Sequence, residues 1–155
     1  MARTWAIGDR IEYHNVILSQ KDFDQEVLFG WEFFGPVLFE PGARPSFDDF
    51  ASTTVHTNPD LARRQGLRGT IAPGTMFVAY ITDMLLGEFG PSWAEKGRLS
   101  VKFVGPAGSG DTLHTSATVR EIVPCADGKQ LMFDVSIVDQ RGTQIVKGEA
   151  RATVP

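Results

Sequence analysis

His56 is the residue whose neighbours best suit it to acid–base chemistry. It stands just before Asn58, a good helix N-cap, and Pro59, a residue suited to the first helical position. Gly66 suits the position after a last turn, so a short helix is predicted over Pro59–Gln65 with His56 in the loop before it. From this loop His56 can face a pocket. Because a histidine side chain ordinarily titrates at about pH 6.5, near working pH, it can act there as a base. The alternative is that His56 only bonds a nearby backbone group.

The second chemical feature is the start of the apolar segment Ile71–Phe89. Pro73 and Gly74 favour a helix opening, which predicts a long helix over about residues 73–89 that ends before Gly90. The segment is apolar on nearly every face, and such a helix is normally buried. Free N–H groups at a helix start, that of Gly74 included, can hold negative charge on an oxygen atom. The alternative role of Gly74 is loop flexibility.

The chain after this helix favours an antiparallel meander of three or four strands. Two turn signals, Ala126-Asp127-Gly128 and Gln140-Arg141-Gly142, separate its last runs. Small residues such as Gly148 and Ala150 share a face of the last run, which suits close packing beneath a helix. The predicted strands are Arg98–Val104, Asp111–Val123, Leu131–Val138 and Gln144–Val154. A buried helix with such a sheet wrapped around it predicts the α+β class.

The first third of the chain is less regular. Arg10–Leu18 favours a strand and Asp22–Phe29 a short helix. The aromatic-rich segment 29–50 comes next, broken by Gly35-Pro36 and other turn signals. Its aromatic side chains can either line an apolar pocket or pack into the core; they are Trp31, Phe33, Phe34 and Phe39.

Composition excludes several classes of function. The chain has 155 residues, which predicts a single domain over 1–155, and its net charge of −4 disfavours a nucleic-acid partner. A single cysteine, Cys125, permits neither an intrachain disulfide nor a cysteine zinc site. His14, His56 and His114 lack metal-ligand spacing. No segment suits a signal peptide or a membrane span, so we expect a cytoplasmic protein without a membrane partner.

Four short motifs in order resemble the MaoC-like dehydratases, a family that includes the R-specific enoyl-CoA hydratases. The resemblance covers the chain from about Phe50 to its C-terminus. The motifs are HTNPDLA at 56–62, IAPG at 71–74, KFVGP at 102–106 and GDTL at 110–113, with a DQRG turn at 139–142 and a G-x-A strand at 148–150.

The resemblance implies a hot-dog fold, in which an antiparallel sheet wraps around a long central helix. It implies a hydratase or dehydratase that acts on an enoyl thioester of CoA or acyl carrier protein. His56 is then the base and the Gly74 N–H the oxyanion donor, with Ala72 and Thr75 beside it as substrate-binding residues. Neither a metal nor a redox cofactor is needed, and a homodimer or higher oligomer is expected.

The chain departs from the family pattern at two positions. Ala51 stands where the family has its catalytic aspartate, five residues before the histidine, and Pro73 replaces a histidine at the helix opening. Asp49, or after it Asp48, is the candidate replacement for the aspartate; the alternative is a solvated turn. The missing aspartate also leaves a second interpretation, a non-catalytic hot-dog subunit that binds an acyl group or pairs with an active partner.

Two basic residues are candidates to bind the phosphates of the carrier. Lys102 matches a basic position in the family, and Arg68 belongs to a local basic cluster near the helix opening. A solvated surface is the alternative for both. A third activity, thioester hydrolysis, would need a carboxylate on or near the central helix, where we expect Asp83 to lie too deep.

Overall fold

A computed structural model describes residues 3–40 and 42–155. The described chain divides into two compact units. The first comprises the chain up to Val16 together with Phe77–Gly105 and Thr112–Pro155, and the second comprises Ile17–Met76 and Pro106–Asp111. Both units are parts of one chain, and the single domain over 1–155 remains a prediction.

The first unit contains an antiparallel sheet with the strand order β1-β4-β5-β6-β3. All four strands predicted after the long helix are confirmed, within three residues at either end. A fifth strand is shorter than predicted, because the Arg10–Leu18 run divides into β1 and the two-residue β2, with Tyr13–Asn15 between them. The strands are β1 (Arg10–Glu12), β2 (Val16–Ile17), β3 (Arg98–Phe103), β4 (Thr112–Cys125), β5 (Gly128–Asp139) and β6 (Gln144–Val154).

Alternation along the central strand β5 accounts for much of the core. Leu131, Phe133, Val135 and Ile137 are each at most 2% exposed. Burial of each such side chain contributes about 1.5–3 kcal/mol relative to exposure. The intervening side chains are half-buried or exposed, so one face of the strand holds the core.

Gly148 on β6 is small for a reason that differs from the predicted one. A Cβ atom at this position would lie 2.1 Å from the Ser100 backbone oxygen and 2.7 Å from Val101 Cα. Val101 is the partner of Gly148 in the β3–β6 register. The close neighbour is therefore the adjacent strand rather than a helix above the sheet.

The predicted long helix is confirmed as α4 (Gly74–Phe89). Its buried face includes Phe77, Ile81 and Leu85, and aromatic contacts join it to the sheet: Phe89 lies 5.7 Å from Phe133 between ring centroids. The expectation that the helix is buried all round is wrong, because Ala79, Asp83 and Leu86 are exposed.

Asp83 corrects another expectation, since it lies on the exposed side of α4 rather than deep in the core. Its carboxylate accepts a hydrogen bond of 2.5 Å from the Tyr13 hydroxyl. This bond, together with burial and the Asp83 charge, raises the pKa of Tyr13 to about 12. A further helix that we did not predict, α5 (Pro91–Lys96), comes after Gly90 and begins at a proline.

The second unit contains a helix much longer than the one predicted over Asp22–Phe29. This helix, α1 (Gln20–Leu38), is capped by Ser19, whose hydroxyl accepts from the Asp22 N–H, and it buries Phe23 and Val27. Pro36 lies in its last turn, where its missing N–H removes one intrahelical hydrogen bond close to the end of the helix. The Gly35-Pro36 pair therefore ends the helix soon after, instead of excluding it.

The aromatic-rich segment 29–50 divides between α1 and the residues after its C-terminus. Trp31 is half-buried, and the Arg44 guanidinium stacks on its ring at 3.6 Å and donates to its carbonyl at 2.7 Å. Phe33 is 64% exposed, so it does not pack into the core of this chain. The exposed apolar residues of this half of α1 are Phe29, Phe33, Phe34, Val37 and Leu38.

Two short helices complete the second unit. α2 (Phe47–Ser52) is capped by Ser46, and α3 (Pro59–Arg64) is capped by Asn58, whose side-chain oxygen accepts from two backbone N–H groups. The predicted N-cap, first-turn proline and following glycine of α3 are all confirmed, since Gly66 has a φ of 83°. His56 thus lies in the predicted loop before this helix.

Candidate active site

The His56 loop is fixed by backbone contacts on both sides. The His56 N–H donates to the Thr54 hydroxyl at 2.9 Å, and the Ile71 N–H donates to the Val55 carbonyl at 3.3 Å. Ile71 in turn forms an isolated antiparallel bridge with Gly108. The loop is therefore tied to the segment that immediately precedes α4.

The imidazole of His56 has one defined partner. Its Nδ1 lies 2.8 Å from the carbonyl oxygen of Ile71. A carbonyl oxygen can only accept, so Nδ1 carries the hydrogen and Nε2 of the neutral ring keeps its lone pair. The described residues, 3–40 and 42–155, offer no hydrogen-bond partner to Nε2. The ring is half-buried, and it therefore presents an oriented basic nitrogen.

A side chain from α1 holds the backbone around this histidine. The Gln20 Nε2 donates to the His56 carbonyl at 2.9 Å and to Asp24 Oδ1 at 2.8 Å. The Thr70 hydroxyl donates to Gln20 Oε1. One amide thus contacts both the His56 loop and the residue before Ile71.

The start of α4 presents backbone N–H groups at a helix N-terminus. Gly74 is the first residue of the helix and is half-buried, so its N–H has no intrahelical acceptor. Thr75 beside it is exposed. Ala72 is buried, and its N–H is already donated to the Ala107 carbonyl at 2.8 Å. Gly74 rather than Ala72 therefore offers the first N–H here that donates to no acceptor in residues 3–40 and 42–155.

The candidate carboxylates lie in the first turn of α2. Asp49 accepts from the Ser46 hydroxyl at 2.6 Å, and its own N–H donates to Ser46 at 3.1 Å, which is a reciprocal cap. Asp48 is exposed in the same turn. In the described part of the chain no hydrogen bond joins either carboxylate to His56. Ala51, at the position of the family aspartate, accepts from the Thr57 hydroxyl through its carbonyl.

The two candidate phosphate-binding residues lie in different units. Arg68 is exposed in the second unit, after α3, and Lys102 is exposed on β3 in the first unit. Arg63, a neighbour of Arg68 in the basic cluster, is paired with Asp60 at 3.0 Å. Both candidates are accessible to a ligand.

The residues that orient the histidine were not predicted from the sequence. Gln20 and Thr70 lie 36 and 14 positions from His56 in the chain, and the oriented ring bonds a main-chain oxygen, that of Ile71. A backbone partner leaves no trace in residue types. Gln20 is the first residue of α1, but the predicted helix began at Asp22, so the sequence contained no signal for its role.

Among the described residues, no group of three or more His, Cys, Asp or Glu side chains could hold a metal ion. None of the described helices has both the length and the apolar character needed to cross a bilayer.

An antiparallel sheet packed against a long helix defines an α+β protein, and the histidine bonded to Ile71, three residues before the first residue of that helix, is its candidate acid–base residue. The model of the MaoC-like domain matches residues 49–141, which is more than half of the chain. The chain therefore belongs to the MaoC-like family. Among curated proteins, none matches it significantly in sequence.

Solved structures share the fold. The R-hydratase PhaJ1 from Pseudomonas aeruginosa aligns with a TM-score of 0.67 and 22% identity over 97% of this chain and 83% of its own. The (R)-hydratase from A. caviae aligns with a TM-score of 0.68 and 18% identity over 99% and 100%. A chain of the ChsH1–ChsH2 complex from Mycobacterium tuberculosis aligns with 0.67 and 15% over 98% and 100%. These likenesses establish the hot-dog fold.

Proposed function

We propose that this protein is a hydratase or dehydratase of enoyl thioesters. It adds water to the double bond of the enoyl group or, in the reverse direction, forms that double bond by removing water. The observation that carries the proposal is the His56 Nδ1–Ile71 carbonyl bond of 2.8 Å, because it leaves Nε2 basic and ties the ring to Ile71, three residues before the first residue of α4. The carrier is CoA or acyl carrier protein. Membership of the MaoC-like family supports this reaction type.

In the hydration direction, His56 Nε2 takes a proton from water while the water oxygen bonds to Cβ of the enoyl group. The π electrons move onto the thioester oxygen, which becomes an enolate. The Gly74 N–H and the positive end of α4 stabilise this charge. The proton held on Nε2 then passes to Cα, and the ring returns to its neutral form. No metal and no redox cofactor enter these steps.

The remaining candidates bind the substrate around this centre. Thr75 directly follows the oxyanion donor Gly74 in sequence, and its side chain is exposed. Ala72 lies two residues before Gly74, and its side chain is buried. Lys102 or, as the second candidate, Arg68 binds the phosphates of the carrier, since each is an exposed cation. Changing either to Gln is expected to raise KM and leave kcat unchanged.

Asp49, and after it Asp48, polarise the attacking water in place of the family aspartate. They precede His56 in the segment where the family has that residue, and both carboxylates are exposed. An Asp48→Asn/Asp49→Asn double variant is then expected to lose turnover. Unchanged kinetics in an active preparation would assign the base role to His56 alone.

A partner chain is expected as well. The exposed side of α4, where the apolar Ala79 and Leu86 lie on the same helix as the charged Asp83, is a candidate contact surface on a helix whose opposite face is buried. A second copy of the chain, forming a homodimer, would cover it. Dilution-series light scattering that shows a monomer at every concentration would contradict this.

The alternative function is a non-catalytic hot-dog subunit that binds an acyl group or completes a heterodimer. Ala51 favours it, because this residue cannot supply the carboxylate of the family pattern. Two of the solved structures of the same fold are complexes named for two components, ChsH1–ChsH2 and HadBC.

The test is a panel of straight-chain, branched and dicarboxylic enoyl-CoA thioesters, in which the loss of the conjugated enone absorbance is measured. Thiol release is measured in parallel, because it reports thioester hydrolysis rather than hydration. Loss of absorbance without thiol release supports the hydratase. No turnover of any thioester by folded protein would favour the subunit function.

A further inference from the structure

Both N–H groups and the oxygen of the Gln20 amide have hydrogen-bond partners. Its Nε2 faces two acceptors, the His56 carbonyl and Asp24 Oδ1, and its Oε1 faces the Thr70 hydroxyl. A carbonyl and a carboxylate can only accept, so the NH₂ group must point at them and the orientation of the amide is determined. Gln20, Thr70 and the His56 carbonyl are all half-buried, which limits competition from water.

The two groups that Gln20 binds belong to the two segments joined by the His56 Nδ1–Ile71 carbonyl hydrogen bond. The His56 carbonyl belongs to the residue that carries the ring. Thr70 directly precedes Ile71, whose carbonyl accepts from His56 Nδ1. The separation between the His56 loop and the 70–71 segment decides whether that bond forms, and one amide side chain spans the two.

We propose that Gln20 is a positioning residue that keeps His56 in its Nδ1–H tautomer and so keeps Nε2 basic. It acts through the backbone of both segments and touches no reacting atom. The inference deepens the proposed function. Only the expected change in kcat rests on that function. The tautomer of the ring can be read in a protein with no known substrate.

An amide suits this role because it donates and accepts at once. A glutamate would keep an acceptor for Thr70 but would turn an oxygen toward the His56 carbonyl and toward Asp24. A methionine of similar length would offer neither a donor nor a comparable acceptor. Gln25, an exposed glutamine on the same helix, provides a matched control.

The experiment is a long-range ¹H–¹⁵N correlation spectrum of the histidine rings at alkaline pH, where the rings are neutral. His56→Ala assigns the His56 signals against those of His14 and His114. Wild type is expected to show the Nδ1–H pattern at His56. Gln20→Met should lower the ratio of Nδ1–H to Nε2–H by about 3- to 10-fold, the change that the loss of one neutral hydrogen bond produces.

Variants of Thr70 change the same hydrogen bond without altering Gln20, so a folding defect in the Gln20 variants does not decide the result. Thr70→Val removes the hydroxyl and is expected to shift the tautomer ratio in the same direction, whereas Thr70→Ser keeps the hydroxyl and should restore it. Gln25→Met should leave the ratio unchanged. In a preparation with hydratase activity, Gln20→Met should lower kcat by about 10- to 100-fold with little change in KM.

A folded Gln20→Met protein with the wild-type tautomer ratio at His56 would overturn the proposal. An equal shift in Gln25→Met would also overturn it, because the effect would then belong to the helix as a whole. If Gln20→Met loses the Nδ1–H pattern while wild type shows no hydratase activity, the positioning role of Gln20 stands and the proposed reaction is rejected.

Discussion

The two units of the molecule are stabilised in different ways. In the first unit, β4, β5 and β6 form long antiparallel ladders, and the buried residues lie on alternate positions of the strands. In the second unit, the loops around His56 are fixed by side chains that bond the backbone, such as Thr54, Gln20 and Asn58. Regular backbone pairing stabilises one unit, and individual polar side chains position the other.

This difference teaches where the chain can change without losing its fold. A ladder with a buried face depends on a few large apolar residues, so their loss affects the whole unit. A loop tied by single hydrogen bonds responds locally, since each bond is worth only about 0.5–1.5 kcal/mol. The candidate site, apart from Lys102, lies in the second unit, where small changes move a reactive group without unfolding the sheet.

The largest expected effect is in the core of the first unit. Phe133 is fully buried and contacts Phe89 and Trp5 at 5.7 and 6.0 Å between ring centroids. Phe133→Ala should lower the free energy of unfolding by about 3–5 kcal/mol, measured by urea denaturation. Val123→Ala, at a residue 38% exposed on β4, is the control and should cost far less. Equal losses would contradict the assignment of the core to alternate positions.

A second variant tests the close approach of two strands. Gly148→Ala places a methyl group against the Ser100 carbonyl of β3, which the backbone must move to accommodate. We expect a loss of about 1–3 kcal/mol in the same denaturation experiment. Gly87→Ala is a suitable comparison, because nothing lies within 4 Å of the added carbon. A harmless Gly148→Ala would mean that β3 and β6 lie farther apart.

In the second unit a single cap should have a smaller and local effect. Asn58 accepts from the Asp60 and Leu61 N–H groups and donates to the Ser52 carbonyl at 2.7 Å. Asn58→Ala should destabilise α3 by about 0.5–2 kcal/mol, seen as faster amide exchange in 60–65. Asn58→Asp keeps the cap acceptor and loses only the donor, so its effect should be intermediate. Uniformly faster exchange in the sheet would contradict a local role.

The last prediction concerns a polar contact in the first unit whose contribution to stability depends on pH. Burial raises the pKa of Asp139, but hydrogen bonds from Arg141 and from the Thr143 N–H outweigh it and hold the pKa at about 2. An unfolded aspartate titrates at about 3.9. The stabilisation is therefore complete above about pH 4 and is lost as the pH falls toward 2.

Asp139→Asn tests this contact, because the variant cannot titrate at that position. The difference in unfolding free energy between wild type and variant should shrink as the pH falls from about 4 to 2. Urea denaturation at a series of pH values measures it. A difference that stays constant over this range would show that the carboxylate charge contributes nothing.

The sequence predicted the first unit better than the second for a physical reason. The period of two in Gln144–Val154 and the apolar run of Gly74–Phe89 both reflect burial, which residue types record directly. Local cap chemistry likewise predicted α3. The length of α1 was missed because Gly35-Pro36 favours a break, although the helix continues through the pair and ends two residues after Pro36.

The candidate site divides in the same way. The loop position of His56 and the helix start at Gly74 can be predicted from local signals. The contacts of His56 with the Ile71 carbonyl and with Gln20 are distant in sequence, and one of them is to the main chain. No pattern of residue types encodes them, so only the folded chain reveals how the ring is oriented.

The central claim is that His56 supplies the base for a reaction on an enoyl thioester. The most direct measurement compares turnover by wild type, His56→Ala and His14→Ala, together with calorimetric binding of the matching saturated acyl-CoA. His14 is exposed and lies outside the second unit. We expect His56→Ala to lose about 10²- to 10⁴-fold in kcat with binding unchanged, and His14→Ala to behave as wild type. Full turnover by a folded His56→Ala protein would contradict the account.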